Sequence, residues 1–299
     1  MKKTFLTMLL VVCVGMLSAC GDAGSPSGKT AGGVQAEGYN PVFAEADADA
    51  SWDAAAATRI TFDGANITVN GEGANALEGG VKISMPGVYV LEGTLTDGRL
   101  IAEVEPGEYL KIVLNGVNMS CSTSAPIYIA NGDAIIVLAD GTNNVLNDAQ
   151  VYHYADSAVE EPNACLYADD NLSVVGGGAL TVNANFNNGI GSKDELRISG
   201  ATLSVTAANN AIKGKDCVLI RDAQITLKSY GDGIKSDEDK KAGHGIIEIS
   251  GSKVDITAVD DALQAITRVT VPDGEIITAV QGDKVNCNGE VSIAEGVLQ

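Results

Sequence analysis

Five stretches decide the fold: Asn187-Asn188-Gly189-Ile190, Asn209-Asn210-Ala211-Ile212, Gly231-Asp232-Gly233-Ile234, Asp260-Asp261-Ala262-Leu263 and Gly282-Asp283-Lys284-Val285. Their second residues fall at 188, 210, 232, 261 and 283, giving spacings of 22, 22, 29 and 22. The longer step holds seven extra residues around Ser236 to Gly243. Apolar pairs obey the same count. Leu196/Ile198, Val218/Ile220, Ile247/Ile249, Val269/Val271 and Val291/Ile293 form one set. Leu203/Val205, Ile225/Leu227, Val254/Ile256 and Ile276/Thr278 form a second. Each pair has period two, which is strand periodicity. Turn residues separate the sets, as at Ser199-Gly200 and Pro272-Asp273-Gly274. Ile190, Ile212, Ile234, Leu263 and Val285 supply a third apolar column. A unit of three short strands and three bends cannot bury its own face, but a stack of such units can.

The expected fold is therefore all-β: a right-handed parallel β-helix with coils of about 22 residues. A leucine-rich repeat would need an L-x-x-L-x-L signature and an irregular return, and the nonapeptide calcium repeat fails on period. Upstream, Ser124-Ala125-Pro126-Ile127-Tyr128 matches Asn163-Ala164-Cys165-Leu166-Tyr167, which stacks Tyr128 on Tyr167. Residues 143–162 are an excursion between them. Residues 59–115 read as an N-terminal β cap and first coils, 116–299 as regular coils, and 41–299 as one domain. A short turn of helix is expected between Ser51 and Ala57.

The N-terminus reads as an address. Met1-Lys2-Lys3 precedes an apolar run, and Leu17-Ser18-Ala19-Cys20 resembles a lipobox. Residues 1–19 are then a lipoprotein signal peptide, Cys20 carries lipid, and residues 20–40 form a flexible tether. The chain is expected to be exported, anchored to the bacterial envelope by lipid rather than by a span, and displayed at the cell surface. Gly21 points the same way, since the inner-membrane retention residue Asp is absent there. Of six cysteines, Cys121, Cys165, Cys217 and Cys287 remain after the signal and Cys20. Their offsets differ, so free, mostly packed thiols are expected, and His153 and His244 are too isolated for zinc.

Composition narrows the function. Nineteen basic against 39 acidic residues give a net charge of −20, which excludes a general nucleic-acid binder. The repeat column reads Asn188, Asn210, Asp232, Asp261, Asp283. Asparagines can hydrogen-bond up such a stack. Two carboxylates one rung apart repel by roughly 3 kcal/mol at an effective dielectric of about 20, so the aspartates invite a cation. Calcium prefers such hard oxygen donors. Asp260 and the insert's Asp237, Glu238 and Asp239 add more. The alternative is a solvated acidic edge. Beside the column, Lys213 stacks on Lys235 and Lys193 on Lys215, a flat cationic surface suited to an acidic polysaccharide or, equally, local charge neutralisation. Tyr152, Tyr154 and Tyr230 are candidates for stacking on sugar; Tyr128 and Tyr167 read as a packed ladder.

These residues resemble the bacterial carbohydrate-binding right-handed β-helix family, distantly related to pectate lyases. The resemblance rests on Pro86 to Gly98, Val113-Leu114-Asn115-Gly116-Val117, Glu161-Pro162-Asn163-Ala164, Asn188 to Asp194 and Gly231 to Asp237. It implies a calcium-binding protein for plant-type or pectin-like acidic glycans without established catalysis. The ligands implied by position are Asp232, Asp237, Asp260, Asp261 and Asp283, with Lys193, Lys213, Lys215, Lys235 and Tyr230 as glycan contacts. Asn188, Asn210 and Gln264 depart from the family's acidic pattern. A monomer is expected. Two other classes stay open: a calcium-dependent polysaccharide lyase with Lys213 or Lys235 as base, and an adhesion or structural scaffold with no sugar ligand.

Overall fold

The computed structural model describes residues 38–154 and 158–299. The signal peptide, Cys20 and all but the end of the tether lie outside the described residues. Within them the chain is an all-β parallel β-helix. Each regular coil has three strands, for example Ile212–Gly214, Cys217–Arg221 and Gln224–Ser229. Equivalent strands pair in parallel, one coil to the next. Ile190 faces Ile212, which faces Ile234, then Leu263, then Val285. The first four of these are completely buried. The anticipated register therefore holds on this face, and on the others, where Val218 sits between Leu196 and Ile247, and Ile225 between Leu203 and Val254.

The N-terminal end is closed by two antiparallel hairpins, Thr58–Gly64 with Asn66–Asn70 and Ala74–Leu77 with Gly80–Ile83. Parallel stacking starts on them, Thr58–Gly64 pairing with Gly87–Leu95 and Gly80–Ile83 with Arg99–Glu103. The strands Gly87–Leu95 and Tyr109–Ser120 are long because each runs around a corner of the helix. The first half of Tyr109–Ser120 pairs with Asp133–Leu138 and its end with Asn143–Asn147, so the sheet forks there. Gly93 makes the corner possible: its φ is +88°, and a Cβ would lie 2.2 Å from the Phe62 carbonyl oxygen.

Burial separates the three faces. Third strands alternate, buried inside and exposed outside, as in Thr202–Ala207 and Gln224–Ser229. Second strands are buried on both sides, as in Leu172–Val175 and Cys217–Arg221, the burial expected of a strand covered on both faces. The cover is the chain's own start. Tyr39 stacks on His244 with ring centroids 3.7 Å apart, and its hydroxyl donates to Glu195. Phe43 lies under the Arg221 guanidinium at 4.2 Å. Arg197 pairs with Asp47 at 3.3 Å and donates to the Val42 carbonyl at 3.1 Å. Farther along, Ala50, Trp52 and Ala57 pack on Val90, Val113, Ile135, Val137 and Val175. Residues 38–57 thus form a strap across the second face.

This corrects two expectations. Tyr39 and Asn40, assigned to the tether, belong to the packed fold. The short helix lies at Ala46–Ala48 as a single 3-10 turn, while the 51–57 stretch holds a turn with Ala56 N–H on the Asp53 carbonyl. The four described cysteines are free, and Cys121, Cys165 and Cys217 are buried.

Candidate functional site: the lysine face and its aspartate corner

The first strands of the coils are short, and their outward positions form one ladder along the helix axis. Tyr128 neighbours Tyr167, then come Gly191, Lys213, Lys235, Gln264 and Asn286. At about 4.8 Å per rung this track is about 29 Å long. Gly191 is a bare rung for a steric reason: a Cβ there would lie 3.0 Å from both the Tyr167 ring and the Ala164 methyl. The resulting cleft, about 280 Å³, is lined by Glu161, Tyr167, Lys193, Lys213, Lys215 and Asp237. Larger clefts border the strap, such as that between Asn40–Phe43 and Leu219–Arg221, but they carry no comparable set of convergent charges.

Each of the four lysines expected to face a glycan is in an ion pair. Lys193 reaches Glu161 at 2.8 Å, Lys213 reaches Asp237 at 2.7 Å, Lys215 reaches Glu238 at 3.3 Å and Lys235 reaches Asp232 at 2.9 Å. Two of the carboxylates are fixed in the fold. Glu238 accepts the N–H groups of Lys240 and Lys241, and Asp232 is buried in the column below.

The repeat column solves its own polarity problem. Asn188 Oδ1 accepts the Asn210 N–H, Asn210 Oδ1 accepts that of Asp232, Asp232 Oδ1 that of Asp261, and Asp261 Oδ1 that of Asp283. Each side chain caps the backbone of the next coil. The aspartates therefore share the structural role expected of the asparagines alone, and their charge is partly satisfied: Asp232 Oδ2 by Lys235 and Asp261 Oδ2 by Asn286 at 2.7 Å.

Among the described residues, one group could hold a metal ion: Asp232, Asp260 and Asp261, each offering an oxygen within 4.8 Å of the others. Asp232 and Asp261 are buried and Asp260 is exposed. The Asp232 charge, with burial and Asp261 adding to it, holds the Asp260 carboxyl above its usual range, which is the signature of unneutralised repulsion. Three hard oxygen donors fit a calcium ion, and an oxygen that accepts one hydrogen bond retains a second lone pair for a metal. Two of the five expected ligands are elsewhere: Asp237 is committed to Lys213, and Asp283 lies outside the group.

The aromatic candidates also divide. Tyr152 is buried, stacks on Phe186 at 4.2 Å and donates to Asp148 at 2.7 Å. Tyr154 donates to the Pro162 carbonyl at 2.9 Å. Both pin the excursion to the coils and are not free to stack on sugar. Tyr128 and Tyr167 are the packed ladder anticipated, their ring centroids 6.0 Å apart. Tyr230 is 75 % exposed, two residues before Asp232. Sequence reasoning passed over Glu161, the residue before Pro162, and Asp169. The Tyr128 hydroxyl donates to Asp169 Oδ2 at 2.9 Å, while Asp169 Oδ1 is buried without a partner. Burial raises that carboxyl to about 6. Asp169 lies 24 residues before Lys193, one rung away by the register that pairs Tyr167 with Gly191, so the 22-residue count did not place it, and only packing shows it half-buried.

A parallel β-helix with a cationic track beside clustered carboxylates places the chain among carbohydrate-binding, polysaccharide lyase-like β-helices. The chain belongs to the family of carbohydrate-binding domain-containing proteins, whose model matches residues 77–297. It is 36 % identical over 301 residues to a carbohydrate-binding domain-containing protein of Acetivibrio thermocellus, covering 99 % of this chain and 97 % of that one. It is also similar to the solved polysaccharide lyase-like protein from C. thermocellum, studied as a gadolinium derivative. There the TM-score is 0.79 at 38 % identity, over 81 % of this chain and 98 % of that one.

Proposed function

We propose that this protein binds acidic, pectin-like polysaccharides on its lysine face, with calcium held by Asp232, Asp260 and Asp261, and does so without catalysis. The observation that carries this reading is the stack of Lys213 on Lys235 along the axis, flanked by Lys193 and Lys215 and adjoining the triad through Lys235 and Asp232. Cations repeating at the rung spacing suit a polymer with a carboxylate on each sugar. Calcium at the triad would supply further positive charge and bridge ligand oxygens to the protein. The gadolinium derivative of the C. thermocellum relative supports a hard cation, since such ions share oxygen ligands. The reading includes export and anchoring through lipid at Cys20, with the β-helix displayed at the cell surface, as a monomer.

Catalysis is left out of it for a chemical reason. Lys213 and Lys235 are each committed to a carboxylate, Asp237 and Asp232, so neither amine is placed to take the proton beside a uronate carboxylate.

Calorimetry with polygalacturonate and a neutral glucan, each with calcium or chelator, tests this. Expected is binding of the acidic polymer in calcium, weakened by chelator and by Lys213→Gln with Lys235→Gln, and no ultraviolet-absorbing unsaturated product. Equal binding of the neutral glucan would overturn the acidic-glycan reading, and appearance of the unsaturated product would overturn the non-catalytic one.

A further inference from the structure

Two of the four carboxylates facing the lysines are unlike the others. Asp232 and Glu238 have side chains 2 % and 3 % exposed, whereas those of Glu161 and Asp237 are 25 % and 27 % exposed. Glu161 lies at the end of the 143–162 excursion and Asp237 in the seven-residue insert. These are the two largest departures from the 22-residue count among the stacked first strands, with steps of 39 residues from Ile127 to Leu166 and 29 from Ile234 to Leu263. Each of the two therefore delivers one accessible carboxylate into the same cleft. Glu161 grips Lys193 with both oxygens, at 2.8 and 3.0 Å, and the Tyr167 hydroxyl also reaches it.

We infer that Glu161 and Asp237 are built-in competitors for the glycan's carboxylates and set the charge density a polymer needs to bind. The inference rests on the acidic-glycan reading above. A uronate carboxylate meeting Lys193 or Lys213 exchanges one anion for another, so a single contact gains little. A polymer that presents several carboxylates in register replaces both protein anions in one event and gains the effective-concentration advantage of multivalency. A sparsely charged or esterified polymer does not. The released Glu161 and Asp237 remain in the cleft rim as negative charges, which penalises weak ligands further.

The test compares wild type with Glu161→Gln, Asp237→Asn and the double variant, all near-isosteric, by calorimetry in calcium at fixed salt. The probes are polygalacturonate and a half-methyl-esterified polygalacturonate. A melting curve on each variant verifies folding. Each substitution is expected to tighten binding roughly two- to five-fold, the size of one exposed ion pair, with the larger gain on the esterified polymer and a smaller one at high salt. Wild-type binding that the variants leave unchanged or weaken, or an equal gain on both polymers, would overturn this inference alone. Weakening by Asp237→Asn that disappears in chelator would make Asp237 a metal ligand instead. No binding by wild type or any variant would overturn the acidic-glycan reading and the inference together.

Discussion

Asp169 shows how one side chain reports on its surroundings. Burial disfavours its charged form and Glu161 adds to the effect, while the Tyr128 hydroxyl and Lys193 oppose it; the net result is a carboxyl at about 6 instead of 3.8. Raised in the fold, the group binds its proton more tightly there than in the unfolded chain. Its favourable contribution is complete below pH 4 and is lost as the pH rises to about 6. Asp169→Asn retains an oxygen for Tyr128 and has no charge to desolvate. The full shift would correspond to about 3 kcal/mol, and discounting for the half of the group that remains solvated leaves about 1 kcal/mol. Thermal denaturation across pH 4 to 8 should show the variant more stable than wild type above pH 6, with the advantage gone near pH 4. A constant difference across that range would show that Asp169 titrates normally.

At the scale of the element, the column from Asn188 to Asp283 joins two functions in one row. As a ladder of backbone caps it needs an oxygen at each position; as a metal site it needs charge. Asp261→Asn separates the two, because the amide oxygen still accepts the Asp283 N–H while the charge is gone. Without metal this variant should melt at or above the wild-type temperature, relieved of repulsion from Asp232 and Asp260. Calcium at a hundredfold excess over its Kd should add about 2.7 kcal/mol to wild type and far less to the variant. A wild-type melting temperature indifferent to both calcium and chelator would reduce the triad to a solvated corner. The row's existence was legible in the repeat count, as were the apolar columns and the Tyr128–Tyr167 pair, since stacking converts sequence spacing directly into proximity. The capping bonds were legible for asparagine but not for aspartate, because charge drew attention to the carboxylate and away from its equally good acceptor geometry. The pairing of Lys193, Lys213 and Lys215 was hidden because their partners Glu161, Asp237 and Glu238 lie in segments that break the count.

The whole molecule differs from a simple solenoid because of its strap. In a stack of coils each unit contacts its neighbours, and stability is roughly a sum of nearest-neighbour terms, so opposite ends can open independently. Residues 38–57 add long-range links. Asn40 meets Arg268 at 3.3 Å, while Trp52 packs on the cluster of Val90 and Val113. The strand of Val90, in the cluster under Trp52, and the strand of Arg268 are seven rungs apart on the second face, about 34 Å, so the strap, with its single 3-10 turn at Ala46–Ala48, joins coils far apart in the stack. No 22-residue count could reveal this, although the unbroken apolar run Ala134-Ile135-Ile136-Val137-Leu138 was its trace: a strand with one solvated face alternates. Arg197 is the central fastening, 10 % exposed, bound to Asp47, Glu195 and the Val42 carbonyl. Arg197→Ala leaves two acidic groups without their cation under the strap and should cost about 3 kcal/mol. Its effect on cooperativity is the sharper test. With the strap loosened, hydrogen exchange should speed up along second strands from Asp133–Leu138 to Ile246–Ser250 and leave the inward side of the third strands protected, and denaturation followed by Trp52 fluorescence should precede that followed by far-ultraviolet circular dichroism. Coincident transitions with uniformly faster exchange would mean that the coils already unfold as one unit, and that the strap adds stability without coupling the two ends.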